Sequence, residues 1–156
     1  MENRPSFVMG LLVLIIGIAA FFVPRIEIGY FGYLMHIGRV INVNVGILIM
    51  LGGIFNSKNL SGTGFGIGLA AWGLMILGAI MGTIKTLTLA ADYSLQAILW
   101  VIVVSGEEPG WFFVFVIPAI NTATSYQTGF ILYLVHLGMG AGCLILGTMS
   151  FTNISE

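Results

Sequence analysis

The sequence predicts an all-α membrane protein, a polytopic bundle of transmembrane helices. The first observation is composition: 58% of the residues are apolar, 7% are charged, and the mean hydropathy is +1.08. A soluble domain keeps roughly a quarter of its residues charged. The second observation is that the few charges fall mostly between long apolar runs. No linker divides the chain, so we expect one integral-membrane domain over residues 1–156.

The first two spans are predicted at residues 7–23 and 41–56. The apolar run 7–23 is about long enough to cross a ~30 Å hydrocarbon core at 1.5 Å per residue, and Pro24 and Arg25 end it. A Tyr- and Gly-rich connection suited to the membrane interface follows. Alternating residues 41–45 indicate a strand or an irregular lead-in to the second span.

The third and fourth spans are predicted at residues 65–84 and 129–150, after a polar loop at residues 56–64. Both spans are rich in glycine, and small residues let transmembrane helices approach closely. The glycines predicted to form helix-packing faces are Gly73, Gly78, Gly82, Gly138 and Gly142.

The distribution of basic residues does not decide the orientation in the membrane. With four spans, one side receives Arg4 and Lys58, and the other side receives Arg25, Arg39 and Lys85. Because one side has two basic residues and the other has three, the positive-inside rule does not predict an orientation.

The segment 86–120 is ambiguous. It could add a fifth or sixth span. It could also form a short β-hairpin, because residues 98–104 and 112–117 are rich in β-branched and aromatic residues around the turn-forming residues 105–110. We favour four firm spans, with an interfacial connection or a short β-hairpin between the third and the last.

The two histidines of the chain occupy matching positions. Residues 29–38 align with residues 129–138, with Gly, Tyr, Leu, His and Gly in register, through duplication or coincidence. His36 and His136 could be axial ligands of haem b. We favour structural or interfacial roles for both histidines, because His36 lies near the predicted membrane interface and His136 could form a hydrogen bond with a neighbouring helix.

Other candidate site residues are few. Asp92 within a span would indicate a proton or cation path, whereas on a connection it is an ordinary exposed charge. Cys143 is the only cysteine, so no metal site is predicted. The sequence lacks catalytic triads, phosphate loops and basic patches, so we expect no enzyme, no resident cofactor and no nucleic-acid partner.

In layout the chain resembles small prokaryotic four-helix membrane proteins and accessory subunits of large membrane complexes. That resemblance implies a multi-pass protein of the prokaryotic cytoplasmic membrane. Its partners would be the lipid bilayer and other membrane subunits, or further copies of itself. The expected function is a structural or accessory subunit that packs through glycine-rich helix faces. The alternatives are a haem-b redox subunit and a small homo-oligomeric channel or proton-conducting protein.

Overall fold

The computed structural model describes residues 3–23 and 29–154, and every regular element in these ranges is helical. The predicted all-α class is therefore confirmed. In chain order the elements are α1 (Arg4–Ala20), α2 (Gly29–Ile54), α3 (Lys58–Val104), α4 (Pro109–Trp111), a π-helical segment (Phe112–Val116) and α5 (Ile117–Asn153).

The prediction of four firm spans is wrong in number. Among the described residues, three helical stretches are long and apolar enough to cross a membrane: Tyr30–Ile54, Lys58–Val104 and Pro109–Asn153. α1 is apolar but has only 17 residues, because the backbone turns at Phe21. Pro24 and Arg25, predicted to end the first span, lie outside the described residues.

The prediction of a β-hairpin within residues 86–120 is also wrong, because the described residues there form helices and no strand. The predicted interfacial connection stays a prediction. α3 continues without a break to Val104, and the chain reverses at the turn predicted from its sequence, where Gly106 has a φ of 85°. The β-branched and aromatic residues on either side are helical because the two helices pack against each other. Tyr93 stacks on Tyr126 with ring centroids 5.6 Å apart.

Residues 41–45, predicted as a strand or an irregular lead-in to the second span, lie inside α2.

In the described part of the chain, α1, α2, α3 and α5 form a bundle from which α3 and α5 project. α1 packs on α2 and α5, and α3 packs on α2 and α5. α2 begins near the level of Lys85, whose Nζ lies 5.9 Å from the centroid of the Phe31 ring. Beyond that level, residues 86–128 form an antiparallel pair with a turn at its end, here called the projecting hairpin. At 1.5 Å per residue the 47 residues of α3 extend about 70 Å, more than twice the ~30 Å hydrocarbon core.

Glycines set the close spacing of the helices in the bundle. A Cβ atom at Gly10 would lie 2.5 Å from the Met50 backbone nitrogen, and one at Gly46 would lie 2.7 Å from the Leu14 Cα. Gly38 approaches α3 in the same way. These distances are too short for any side chain, so α1, α2 and α3 meet backbone to backbone at these positions.

We predict that Gly46→Ala destabilises the bundle, because the new methyl group meets the Leu14 backbone. Overpacking of this kind costs about 1–3 kcal/mol. The matched control is Gly142→Ala on α5, where a Cβ atom meets nothing within 4 Å. Thermal unfolding in detergent, followed by tryptophan fluorescence, checks the difference. Equal unfolding temperatures for the two variants would contradict the backbone contact.

Candidate functional site

The end of the projecting hairpin is apolar on all sides. We call residues 97–104 and 111–120 the apolar tip. A helix that is apolar all round is normally buried in protein or membrane, yet here only the mutual faces of the two helices are covered. The exposed large apolar side chains of the tip are Ile98, Leu99, Val101, Ile102, Val103, Trp111, Phe112, Phe113, Val114 and Ile120.

Aromatic stacking holds the two helices of the tip together. The Phe115 ring stacks on Trp100 at a centroid distance of 4.3 Å and on Trp111 at 5.4 Å, with interplanar angles of 17° and 14°. Phe115 belongs to the π-helical segment, a geometry often found at functional sites. The neighbouring Phe113 and Val114 remain 68% and 58% exposed. The tip is therefore internally ordered and outwardly apolar.

Two shallow cavities indent the tip. One has a volume of about 300 Å³ and is lined by Gln96, Leu99, Trp100 and Val103. The other, of about 290 Å³, shares Trp100 and Val103 and extends to Glu107 in the turn. The volumes of both cavities are at or below the lower limit for ligand pockets, and both cavities have wide openings.

A band of polar side chains, interrupted on α3 by the exposed Leu87, Ala91 and Leu95, lies between the tip and the bundle. The exposed residues of this band include Lys85, Asp92, Asn121, Thr124, Gln127 and Thr128. The hydroxyl groups of Thr88, Thr124 and Thr128 donate hydrogen bonds to the carbonyl four residues earlier. Asp92 is thus an exposed side chain on the projecting hairpin. No Lys or Arg follows Lys85 in the sequence, so the only formal charges on the hairpin are the carboxylates of Asp92, Glu107 and Glu108.

A buried polar cluster joins three helices in the centre of the bundle. The Trp72 Nε1–H group donates to Asn42 Oδ1 at 2.8 Å, and the Asn42 amide group donates to Cys143 Sγ at 3.5 Å. All three side chains are completely buried. The indole N–H and the amide therefore satisfy each other away from water, as buried polar groups must.

Arg39 stabilises the carboxyl end of α1. The side chain is only 5% exposed, and its Nη1 donates to the Ala20 carbonyl at 2.8 Å. Its guanidinium also lies 5.1 Å from the centroid of the Phe21 ring. The last carbonyls of a helix lack partners within the helix and carry partial negative charge. Arg39 satisfies one of them and balances that charge.

The two histidines have different hydrogen-bond partners. Arg39 Nε donates to His36 Nδ1 at 3.2 Å, so the Nε2 atom of neutral His36 carries the proton. His136 is buried on α5, and its Nδ1 lies 2.8 Å from the Leu132 carbonyl, to which it donates. Haem ligation by both residues stays a prediction. For His36 to bind iron through Nε2, its proton would have to move to Nδ1, and the hydrogen bond from Arg39 Nε would then be lost.

The five glycines predicted to form packing faces divide into two groups. A Cβ atom at Gly78 would lie 2.9 Å from Met35 Cγ, and one at Gly82 would overlap the Tyr133 ring. These two face the interior of the bundle. Added Cβ atoms at the other three, Gly73, Gly138 and Gly142, meet nothing within 4 Å.

The contact between α1 and α2 was not predicted from the sequence. Gly10 and Gly17 are seven residues apart, as are Gly46 and Gly53. Each pair therefore lies close to one face of its helix, where a glycine repeat could have indicated the crossing.

Among the described residues no three His, Cys, Asp or Glu side chains come together to hold a metal ion. No protein-family model matches the chain, and comparison with curated proteins and with solved structures gives no significant match.

We predict that Asn42→Leu destabilises the bundle by about 1–3 kcal/mol, because it leaves the buried Trp72 Nε1–H group without an acceptor. Asn44→Leu is the matched control, since Asn44 lies on the same helix with an exposed side chain. Unfolding temperatures in detergent check the difference. The cluster would have no stabilising role if both leucine variants unfolded like the wild type.

Proposed function

We propose that this protein is a multi-pass accessory subunit of a membrane assembly, in the prokaryotic cytoplasmic membrane, and that its projecting hairpin docks a partner protein. The observation that carries the proposal is the exposed apolar tip. An exposed apolar surface of this extent, on an element that faces solvent, marks an interaction site. The bundle supplies the membrane anchor, and the hairpin carries the docking surface away from it.

The position of the tip favours a protein partner over lipid. From Ile84, near the end of the bundle, to Ala97 at the start of the tip, α3 rises about 20 Å, and the exposed surface of that stretch includes the charges of Lys85 and Asp92. The membrane that holds the bundle therefore does not reach the tip. Insertion into a second membrane would carry Glu107 and Glu108 deepest into the hydrocarbon, where carboxylates are costly.

The chemistry of the tip indicates what the partner must offer. Apolar side chains would fill the cavities beside Trp100, and aromatic anchors of this kind contribute most of the binding energy in protein interfaces. Basic residues would face Glu107 and Glu108, since the hairpin has no positive charge of its own beyond Lys85. Such charge complementarity sets orientation and the rate of association more than affinity.

The interior of the bundle supports an accessory role over a channel within one chain. The large side chains of Trp72, Ile49 and Met75 are fully buried there. They occupy the volume that a pore would need. The haem alternative has less support, because the hydrogen bond from Arg39 engages His36 Nδ1.

We predict that the double substitution Phe113→Ser and Val114→Ser releases the protein from its native assembly. Fully burying an apolar side chain of this size contributes about 1.5–3 kcal/mol, so we expect binding to weaken roughly tenfold or more. The measurement is the fraction that migrates as a larger complex on native gels of mildly solubilised membranes. Thr124→Ser, on the polar band of α5, is the control.

Two further readouts make this test decisive. A photo-crosslinking residue at position 113 should give one adduct of defined mass, with fixed stoichiometry, whereas the same residue at position 124 should not. The double variant should unfold at the wild-type temperature, since both side chains are exposed. Adducts with lipid alone, or an unchanged complex in the double variant, would refute docking through the tip.

A further inference from the structure

α3 carries a second exposed apolar surface, which shares Ile98 and Ile102 with the tip and continues from there along one side of α3 into the bundle. Its members recur every three or four residues and are all exposed. We call this surface the α3 stripe, and it consists of Gly66, Leu69, Gly73, Leu77, Ile80, Ile84, Leu87, Ala91, Leu95, Ile98 and Ile102.

The stripe lies along one side of the helix for most of its length. Gly66 and Ile102 are 36 positions apart, which is ten turns at 3.6 residues per turn. The opposite side, which includes Met75, Thr86 and Ala97, is buried against the rest of the chain. At 1.5 Å per residue the stripe is about 54 Å long, whereas the hydrocarbon core is ~30 Å thick. Lipid therefore covers little more than half of it.

The outward face of α5 provides a comparison within the same molecule. In the bundle this face carries the exposed residues Ile145, Gly138 and Ile131. One and two turns further toward the tip, the same side carries the exposed polar residues Gln127 and Thr124. That change from apolar to polar is expected where a helix leaves lipid for water. The α3 stripe shows no such change, which indicates that protein covers it.

We infer that the α3 stripe is the contact surface between two copies of this chain, packed side by side in the same orientation. A covering helix must extend about 27 Å beyond the level of Ile84, the rise from Ile84 to Ile102. It must also be apolar along its whole length. The α3 helix of a second copy matches both requirements, because copies inserted in the same sense project to the same height.

The composition of the stripe also suits contact with itself. It carries no charge, so the pairing of two copies buries no like charges. Gly66 and Gly73 have open space around them, which allows the two backbones to approach as in other small-residue helix contacts. This pairing goes beyond the proposed docking role. Phe113 and Val114, whose substitution tests docking, lie on the other arm of the hairpin and are not part of the stripe.

A two-fold axis along the membrane normal makes each residue of the stripe face its own counterpart. Single cysteines on the stripe should therefore form symmetric disulfides, both in the bundle and on the projecting hairpin. The test uses the purified full chain in lipid vesicles, so no other protein is present. Leu77→Cys samples the membrane region, and Leu95→Cys samples the hairpin. Thr124→Cys on α5 is the control, because Leu95 and Thr124 both lie two residues beyond the Tyr93–Tyr126 pair toward the tip.

Under mild oxidation we expect Leu77→Cys and Leu95→Cys to form covalent dimers, and Thr124→Cys and the wild type, with its buried Cys143, to remain monomeric on denaturing gels. The inference is overturned if Leu95→Cys forms dimers no faster than Thr124→Cys. Dimers of Leu77→Cys alone would also overturn it, because the contact would then end with the membrane.

A second pair of variants tests the close approach at the glycines. Gly73→Phe places a large ring on the stripe, and Gly138→Phe places the same ring on the outer face of α5. Within one copy of the chain, a Cβ atom added at either position has no other atom within 4 Å, so we expect both variants to fold. We expect Gly73→Phe to weaken dimerisation roughly tenfold or more, and Gly138→Phe to leave it unchanged. Equal dimer fractions would refute contact at Gly73. Because no partner protein takes part, failure here leaves docking through the tip to be judged separately.

Discussion

The antiparallel pairing of α3 with α5 is the constraint on which the rest of the structure depends. Two paired helices cover only their mutual faces, and here that face holds small or aromatic residues such as Gly82, Ala90 and Trp100. In the bundle, α2 covers a further side of α3 and α1 a further side of α5. Beyond Lys85 no other described helix does so. The exposed apolar surface of the hairpin follows directly from a pair that is longer than the helices around it.

Polar contacts fix both ends of the bundle while glycines set its spacing. At one end the Ser6 and Ser150 hydroxyls lie 2.6 Å apart, and the Asn3 side chain donates to the Asn153 carbonyl. At the other end Arg39 satisfies the last turn of α1. These contacts join residues far apart in sequence, so they define which helices are neighbours. The apolar side chains between them define only that the helices pack.

The sequence was sufficient to predict the helical class and the turn at residues 105–110, because charge scarcity and turn-forming residues are local signals. It was not sufficient for residues 98–104 and 112–117, whose β-branched and aromatic composition favours strand. Their helical state depends on packing between α3 and α5, as in the Trp100–Phe115 stack, and tertiary packing overrides local propensity. The candidate surfaces were missed for the same reason, since exposure on a helix depends on which neighbours exist.

The length of the paired helices distinguishes this chain from a simple bundle. Residues 105–108 connect the two arms of the hairpin, which is within the about 2–8 residues usual between helices in bundles, but the arms themselves extend from residue 86 to residue 128. Ordering these residues costs conformational entropy, and burying apolar side chains contributes about 25 cal/mol for each Å² removed from water. In the proposed assembly, contacts at the α3 stripe and the tip supply that burial. The exposed Thr124 and Gln127 of α5 are then the part of the hairpin left facing water.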